Sequence, residues 1–454
     1  MPKITFQSLL RRSDIGANCY VIDTGIERIV LDAGMHPKEK GLEALPDFSL
    51  LPDDSADAII LTHAHLDHCG ALPVLMRRQP RAHVYMSALT SELAAAMMHN
   101  SCNVMTMQRD QDGIKEYPFF THREVDRIER SWLRLRMGRR AEIGECGAHV
   151  ELYDAGHLPG AVGALLDLGG VRVFYTGDVH FEDQTMTMGA QFPEKDIDVL
   201  ILECTRGASE RRADYNREAE SHRFGAVVTE TIKRGGSVLM PVFAIGKTQE
   251  MLLIIHELRH SGHLSAHIPV HIGGLSRRMT QIIDRHADTE RRRHAGFKIL
   301  ESLAGLVRAK KGERDLTSAP GRIYALSSGM MTENTASNDF AFRFIDNPRN
   351  SLCLVGYADS ASPAGAILST EPGGKVKLHS AHPPVALRAD VHRFDFSGHA
   401  PRPDLVAYAM KVKPRKIMLV HGDAPALEWM AQTLSAALPQ TEVIVPMPGE
   451  KIVL

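Results

Sequence analysis

Thr62-His63-Ala64-His65-Leu66-Asp67-His68-Cys69-Gly70 follows directly on the apolar run Asp57-Ala58-Ile59-Ile60-Leu61 and leads into Ala71-Leu72-Pro73-Val74-Leu75-Met76. A β-run, a polar loop and an apolar helix in that order put the loop at the end of a buried strand. Three imidazoles and a carboxylate within six residues of such a loop can converge on one point, as residues spread along a helix face cannot. These are ligands for a divalent ion, and the pattern reads as a two-metal hydrolytic centre. A solvated His-rich loop would have no reason to sit between a β-run and an apolar helix.

Outward from this stretch, the chain repeats the device of a β-run that ends in a polar residue beside glycine. Arg28-Ile-Val-Leu31 ends in Asp32-Ala-Gly34, where Asp32 is either a turn residue or a carboxylate that orients a ligand imidazole. Ala148–Tyr153 delivers His157, Val171–Tyr175 delivers Asp178, and Lys416–Val420 delivers His421-Gly422. The ligands then count as His63, His65 and His157 for one ion and Asp67, His68 and His421 for a second, with Asp178 able to bridge. The donor set of imidazole and carboxylate without thiolate suits two Zn2+, with Mn2+ as the alternative. Such a pair of ions would hold a hydroxide and polarise a phosphoryl oxygen.

The leaving group still needs a proton, and Glu203 and His399 end two further β-runs. A carboxylate partner favours the protonated form of an imidazole, so His399 is the expected acid and Glu203 the residue that orients it. Asp67, Glu203 and His399 are thus the expected catalytic residues, Asp67 through the metal it holds.

With 454 residues the chain exceeds one ordinary core, so two domains are expected. A net charge of −2 gives no whole-molecule field for a polyanion, although a local groove or the metals can hold phosphate. Six dispersed cysteines without a CxxC pair read as buried thiols of a reducing compartment. No signal-peptide core or membrane-length apolar run is present, which makes the cytoplasm the expected location and excludes a membrane partner. Residues 88–141 read as interrupted helix, with a capping box from Thr121 to Glu124. From about 206 strands and helices alternate as in a parallel α/β unit. The clusters Arg291-Arg-Arg293 and Lys310-Lys311 within it read as solvated.

His63-x-His65-x-Asp67-His68, His157, Asp178 and His421, in this order, resemble the metallo-β-lactamase fold. Glu203, His399 and the inserted α/β segment resemble its β-CASP nucleases, which include bacterial and archaeal relatives of the polyadenylation endonuclease. The resemblance implies an αββα sandwich from residues 1–205 and 384–454, with a β-CASP domain at 206–383 inserted between them. It further implies that Asp32 supports a ligand, and that Glu203, His399 and His421 are the family's motifs A, B and C. A histidine at motif C goes with RNA-acting members. The chain departs from the pattern at Cys204 and Arg206, which flank Thr205, and at Pro401.

The implied activity is metal-dependent cleavage of single-stranded RNA in RNA processing, as an endonuclease, an exonuclease or both. A homodimer is one assembly open to it. Two other readings compete: a small-molecule thioesterase or lactonase of the same fold, and a non-catalytic scaffold subunit. The long insertion with Glu203 and His399 argues against the first, and the full ligand set against the second.

Overall fold

The structure is a computed structural model that describes residues 3–144, 147–308 and 316–454; Cys146 and Lys310-Lys311 lie outside them. The chain is mixed α/β and forms two compact units. The first comprises Met1–Asp183, Thr187–Arg211 and His399–Leu454, and the second Gln184–Met186 with Arg212–Gly398.

In the first unit, one seven-stranded sheet runs in the order Lys451–Val453, Thr5–Ser8, Tyr20–Asp23, Arg28–Leu31, Ala58–Ile60, His83–Ser87 and Trp132–Leu135. The other runs Glu442–Ile444, Lys416–Val420, Val199–Glu203, Val171–Tyr175, Val162–Leu168, Ala148–Asp154 and Ala141–Ile143. One core joins their facing sides: Phe6, Tyr20, Ile29 and Ile60 from the first meet Leu152, Val173, Ile201 and Met418 from the second. Helix Ala88–Asp112 packs on the first sheet and Ala424–Ala437 on the second, giving the expected αββα order. Strand ends from both sheets supply the residues discussed below.

The second unit is built on a six-stranded sheet whose pairings are all parallel, in the order Leu306–Arg308, Val270–Ile272, Ile323–Leu326, Val238–Pro241, Ser351–Leu354 and Asp390–Arg393. Continuous apolar strands buried on both faces are what helices on either side of a parallel sheet demand. By packing, the chain passes back to the first unit at His399, fifteen residues beyond the expected return at residue 384. Asp390–Arg393 pairs with Ser351–Leu354 in the second unit's sheet, and the Arg223 guanidinium lies 4.0 Å over the Phe394 ring, so the segment to Gly398 belongs there. At the other end, residues 206–211 stay with the first unit, where a Cβ at Gly207 would fall 2.5 Å from the Ala426 carbonyl.

Two local expectations are corrected. Trp132–Leu135 is an edge strand paired with Val84–Ser87, not helix, although the capping box of His122–Glu129 forms as read. Arg292 is buried rather than solvated, with its guanidinium on the carbonyls of Ile283 and Phe297. The five described cysteines are buried free thiols. Among the described residues no helix is long and apolar enough to cross a membrane.

One buried ion pair anchors the second unit. Glu250 accepts hydrogen bonds from the backbone N–H groups of Thr185 and Met186 and pairs with Arg217. Burial opposes its ionisation, but Arg217 and Lys247 outweigh burial and hold its pKa below the ordinary glutamate range. A lowered folded-state pKa contributes stability at neutral pH that is lost as the pH falls through it. Glu250→Ala, which strands the Arg217 charge, is expected to destabilise the unit by about 3–5 kcal/mol. Urea unfolding at pH 7 measures this, and the difference from wild type should shrink on acidification.

Candidate metal centre

The strand Ala58–Ile60 ends at Leu61-Thr62, and His63 to His68 form the turn into a short helix at Leu66–Cys69. The backbone of this turn is held against Asp32-Ala33-Gly34: Ala33 N donates to the His68 carbonyl, and a Cβ at Gly34 would fall 1.7 Å from the Asp67 carbonyl. Only glycine allows that approach.

Asp32 is fully buried at the end of its strand, in the left-handed region at φ 58°. Its Oδ1 accepts from Thr62 N at 2.7 Å, and its Oδ2 accepts from Tyr175 OH and from His68 Nδ1, each at 2.7 Å. The His68 proton is thereby fixed on Nδ1, and Nε2 points towards Asp178 Oδ1 at 3.3 Å. His63 Nδ1 similarly meets Thr62 Oγ1 at 3.1 Å, which turns its Nε2 inward.

Two ligand groups result. His63, His65, His157 and Asp178 offer atoms that all lie within 4.8 Å of one another, and so do Asp67, His68 and His421. In the first, His65 Nδ1 stands 3.2 Å from His63 Nε2 and 3.3 Å from His157 Nε2, while Asp178 Oδ2 is 3.5 and 3.6 Å from those two imidazoles. In the second, His421 Nε2 is 3.3 Å from Asp67 Oδ2 and its Nδ1 is 3.2 Å from Asp178 Oδ1. The two oxygens of Asp178 thus face different groups.

The electrostatics fit cations. Burial, with His68 nearby, holds the His63 imidazole well below its ordinary pKa, and burial lowers His65 as well. Burial works against the charge on Asp67, yet the His421 hydrogen bond and the neighbouring His68 pull it down to about 2. Asp178 is likewise held well below the carboxylate range against its burial, by His421, His68 and His399. Ionised carboxylates among imidazoles that converge nitrogen to nitrogen form a donor set for divalent ions, with the N and O ligands that Zn2+ and Mn2+ accept.

A third group, Asp178, Glu203 and His399, adjoins these. His399 Nδ1 lies 3.2 Å from Glu203 Oε1, which also accepts from Val179 N at 2.8 Å; Glu203 Oε2 accepts from Thr205 N at 3.1 Å. Glu203 is buried, and the His399 ring, 4.6 Å from the His157 ring between centroids, keeps 18 % of its side chain exposed.

All ten residues singled out in the sequence therefore meet in the first unit. Four supporting residues were not foreseen: Thr62, Tyr175, Asn18, whose Nδ2 is 3.1 Å from His68 Nε2, and Thr205, whose hydroxyl is 2.8 Å from His421 Nδ1. Thr62 immediately precedes His63 and Thr205 follows Glu203 by two residues, which are the signals the sequence carried.

Comparison with known proteins agrees with the geometry. The family model of the metallo-beta-lactamase superfamily matches residues 12–224, that of the Beta-Casp domain 248–367, and that of the Zn-dependent metallo-hydrolase RNA specificity domain 384–446. Cleavage and polyadenylation specificity factor subunit 3 of Dictyostelium discoideum is 26 % identical over 97 % of this chain and 56 % of its own length. Endoribonuclease ysh1 of Schizosaccharomyces pombe is 28 % identical over 99 % of this chain and 60 % of its own. The chain thus spans little more than half the length of these curated relatives. A protein of unknown function from Enterococcus faecalis V583 shares the fold, with a TM-score of 0.56 at 15 % identity, covering 99 % of this chain and all of that one.

Proposed function

We infer that this chain, which belongs to the metallo-β-lactamase superfamily and carries a Beta-Casp domain, is a metal-dependent phosphodiesterase that cuts single-stranded RNA internally. The observation that carries this reading is the joining of the two ligand groups through Asp178 with the Glu203–His399 pair beside them. His63, His65 and His157 would hold one ion, Asp67, His68 and His421 the other, and Asp178 both. Two Zn2+ so held would supply Lewis acidity that makes water a nucleophile at neutral pH and stabilises charge on the phosphoryl and leaving oxygens.

The chain's own residues do the rest. Asp32, fixed by Thr62 and Tyr175, keeps the His68 proton on Nδ1 and its Nε2 lone pair turned towards the ligand group. Glu203, locked by two backbone N–H groups, accepts a hydrogen bond from His399 Nδ1–H and so aims the opposite edge of that ring outward. His399 Nε2 gives its proton to the leaving ribose oxygen as the phosphorus–oxygen bond breaks.

RNA rather than a small ester is favoured because the stretch matched by the RNA specificity domain, 384–446, contains both His399 and His421. Endonucleolytic action is favoured by the name of the fission-yeast relative. The test offers the zinc-reconstituted protein single-stranded RNA, DNA of the same sequence and a generic thioester. Internal RNA products alone support the reading; thioester hydrolysis without RNA cleavage replaces it with the small-molecule alternative.

A further inference from the structure

Between Thr121 and Arg140 the chain carries seven arginines, no lysine and three carboxylates, although its net charge is −2. The carboxylates do not neutralise the guanidinium groups. Glu124 serves the Thr121 cap and accepts from Arg77 at 2.6 Å, and Asp126 Oδ1 lies 3.2 Å from His99 Nε2. Glu129 Oε1 stands 3.8 Å from Arg134. Among the described residues Arg123, Arg127, Arg130, Arg136 and Arg139 have no carboxylate partner, and all five are exposed.

These charges form a line. Helix His122–Glu129 buries Val125 and Ile128, and Arg123, Arg127 and Arg130, spaced by four and then three residues, share the opposite face. Arg134 carries the line onto the edge strand Trp132–Leu135, with Glu129 on one side and Ser91 Oγ, to which its Nε donates at 2.9 Å, on the other. The strands Ala58–Ile60, His83–Ser87 and Trp132–Leu135 are parallel neighbours, so their C-terminal ends lie on one edge of the sheet. The ligand turn leaves the first of these ends and Arg136 the third, about 10 Å apart at two strand spacings. Beyond the middle strand, Ser87 Oγ and Thr90 Oγ1 donate to the Gly160 carbonyl of the His157 loop at 2.7 and 2.8 Å. The line of arginines therefore ends beside the ligand-bearing edge.

We propose that Arg123, Arg127, Arg130, Arg134 and Arg136 form a track that holds the phosphate backbone of single-stranded RNA and leads it to the metal edge, an inference that rests on the RNA reading above. Arginine is weakly hydrated and meets phosphate with two parallel N–H donors, as lysine does not. A merely solvated face interleaves both signs of charge. Trp132, the one large aromatic residue of this segment, is buried, so the track takes the backbone and does not read bases.

The test removes three of these charges together, Arg123→Gln, Arg127→Gln and Arg130→Gln. The control removes three exposed cations of the second unit, Arg343→Gln, Lys375→Gln and Lys377→Gln. Parent, track variant and control all carry Asp67→Ala so that the RNA stays whole, and the anisotropy of labelled oligouridine is followed between about 50 and 200 mM salt. Each phosphate contact on a single strand contributes about 0.7 to the slope of log K against log salt, so the track variant should flatten the slope by about 2 and bind at least about tenfold more weakly at the lowest salt, with the control parallel to the parent. Equal slopes for track variant and parent overturn the proposal, as does an equal flattening in the control. The zinc-loaded chain with Asp67 intact checks the underlying reading separately: RNA left whole there removes the nuclease, while the slopes still judge the track.

Discussion

Asp178→Asn is expected to lower single-turnover RNA cleavage by at least about a thousandfold, roughly 4 kcal/mol of barrier at 1.36 kcal/mol per factor of ten. The substitution keeps the shape of the side chain and removes its charge. Asp178 faces both ligand groups, with Oδ2 3.5 Å from His63 Nε2 and Oδ1 3.3 Å from His68 Nε2. It is also buried among imidazoles that hold it ionised. A neutral amide there presents an N–H to at least one group where a lone pair is needed. Metal analysis of the same preparation should show fewer than two ions per chain. Full metal content with full activity would mean that Asp178 is a structural carboxylate.

His399→Ala should behave differently. General acid catalysis contributes about 10²–10⁴-fold, so cleavage slows by that order while both ions stay bound. The basis is geometric: His399 meets Glu203 rather than completing either ligand group, and part of its ring remains exposed to an incoming substrate. A substrate whose leaving oxygen is already a weak base should recover much of the loss, because it no longer requires a proton. Glu203→Gln, which leaves His399 present but loosely aimed, should fall between wild type and His399→Ala. Loss of metal in His399→Ala would reassign His399 as a ligand.

What the sequence disclosed depended on how locally each contact is made. His63, His65, Asp67 and His68 lie on one turn after one strand, so their convergence follows from chain order alone. His157, Asp178 and His421 were legible because each follows a β-run beside glycine, and strands of one sheet deliver such residues to one edge. Tyr175 was not legible. It closes the strand Val171–Tyr175 as an apparent core aromatic, and its hydroxyl reaches Asp32 only because the two sheets pack face to face. Asn18 meets His68, and Thr205 meets His421, each pair standing on loops at the edge of one and the same sheet, through pairings that are distant in the chain.

Trp132-Leu-Arg-Leu135 is too short for its alternation to outweigh the helical segments before it. Its identity as a strand comes from pairing with Val84–Ser87. The packing of the segment ending at Gly398 was not legible for a related reason. Val391-His-Arg reads as a strand, but nothing within it says which sheet it will join. Arg292, one of three consecutive arginines, is drawn inward by the carbonyls of Ile283 and Phe297, a satisfaction of backbone groups that composition cannot show.

If the turn after Ala58–Ile60 builds a two-metal site for RNA cleavage, the Asp67 carboxylate is indispensable to it. The measurement is a single-turnover time course on 5′- and 3′-labelled single-stranded RNA with zinc-reconstituted wild type and Asp67→Ala. Wild type should make internal cuts and the variant no detectable product over the same period. Cleavage by Asp67→Ala at the wild-type rate would rule out a two-metal site that depends on this turn.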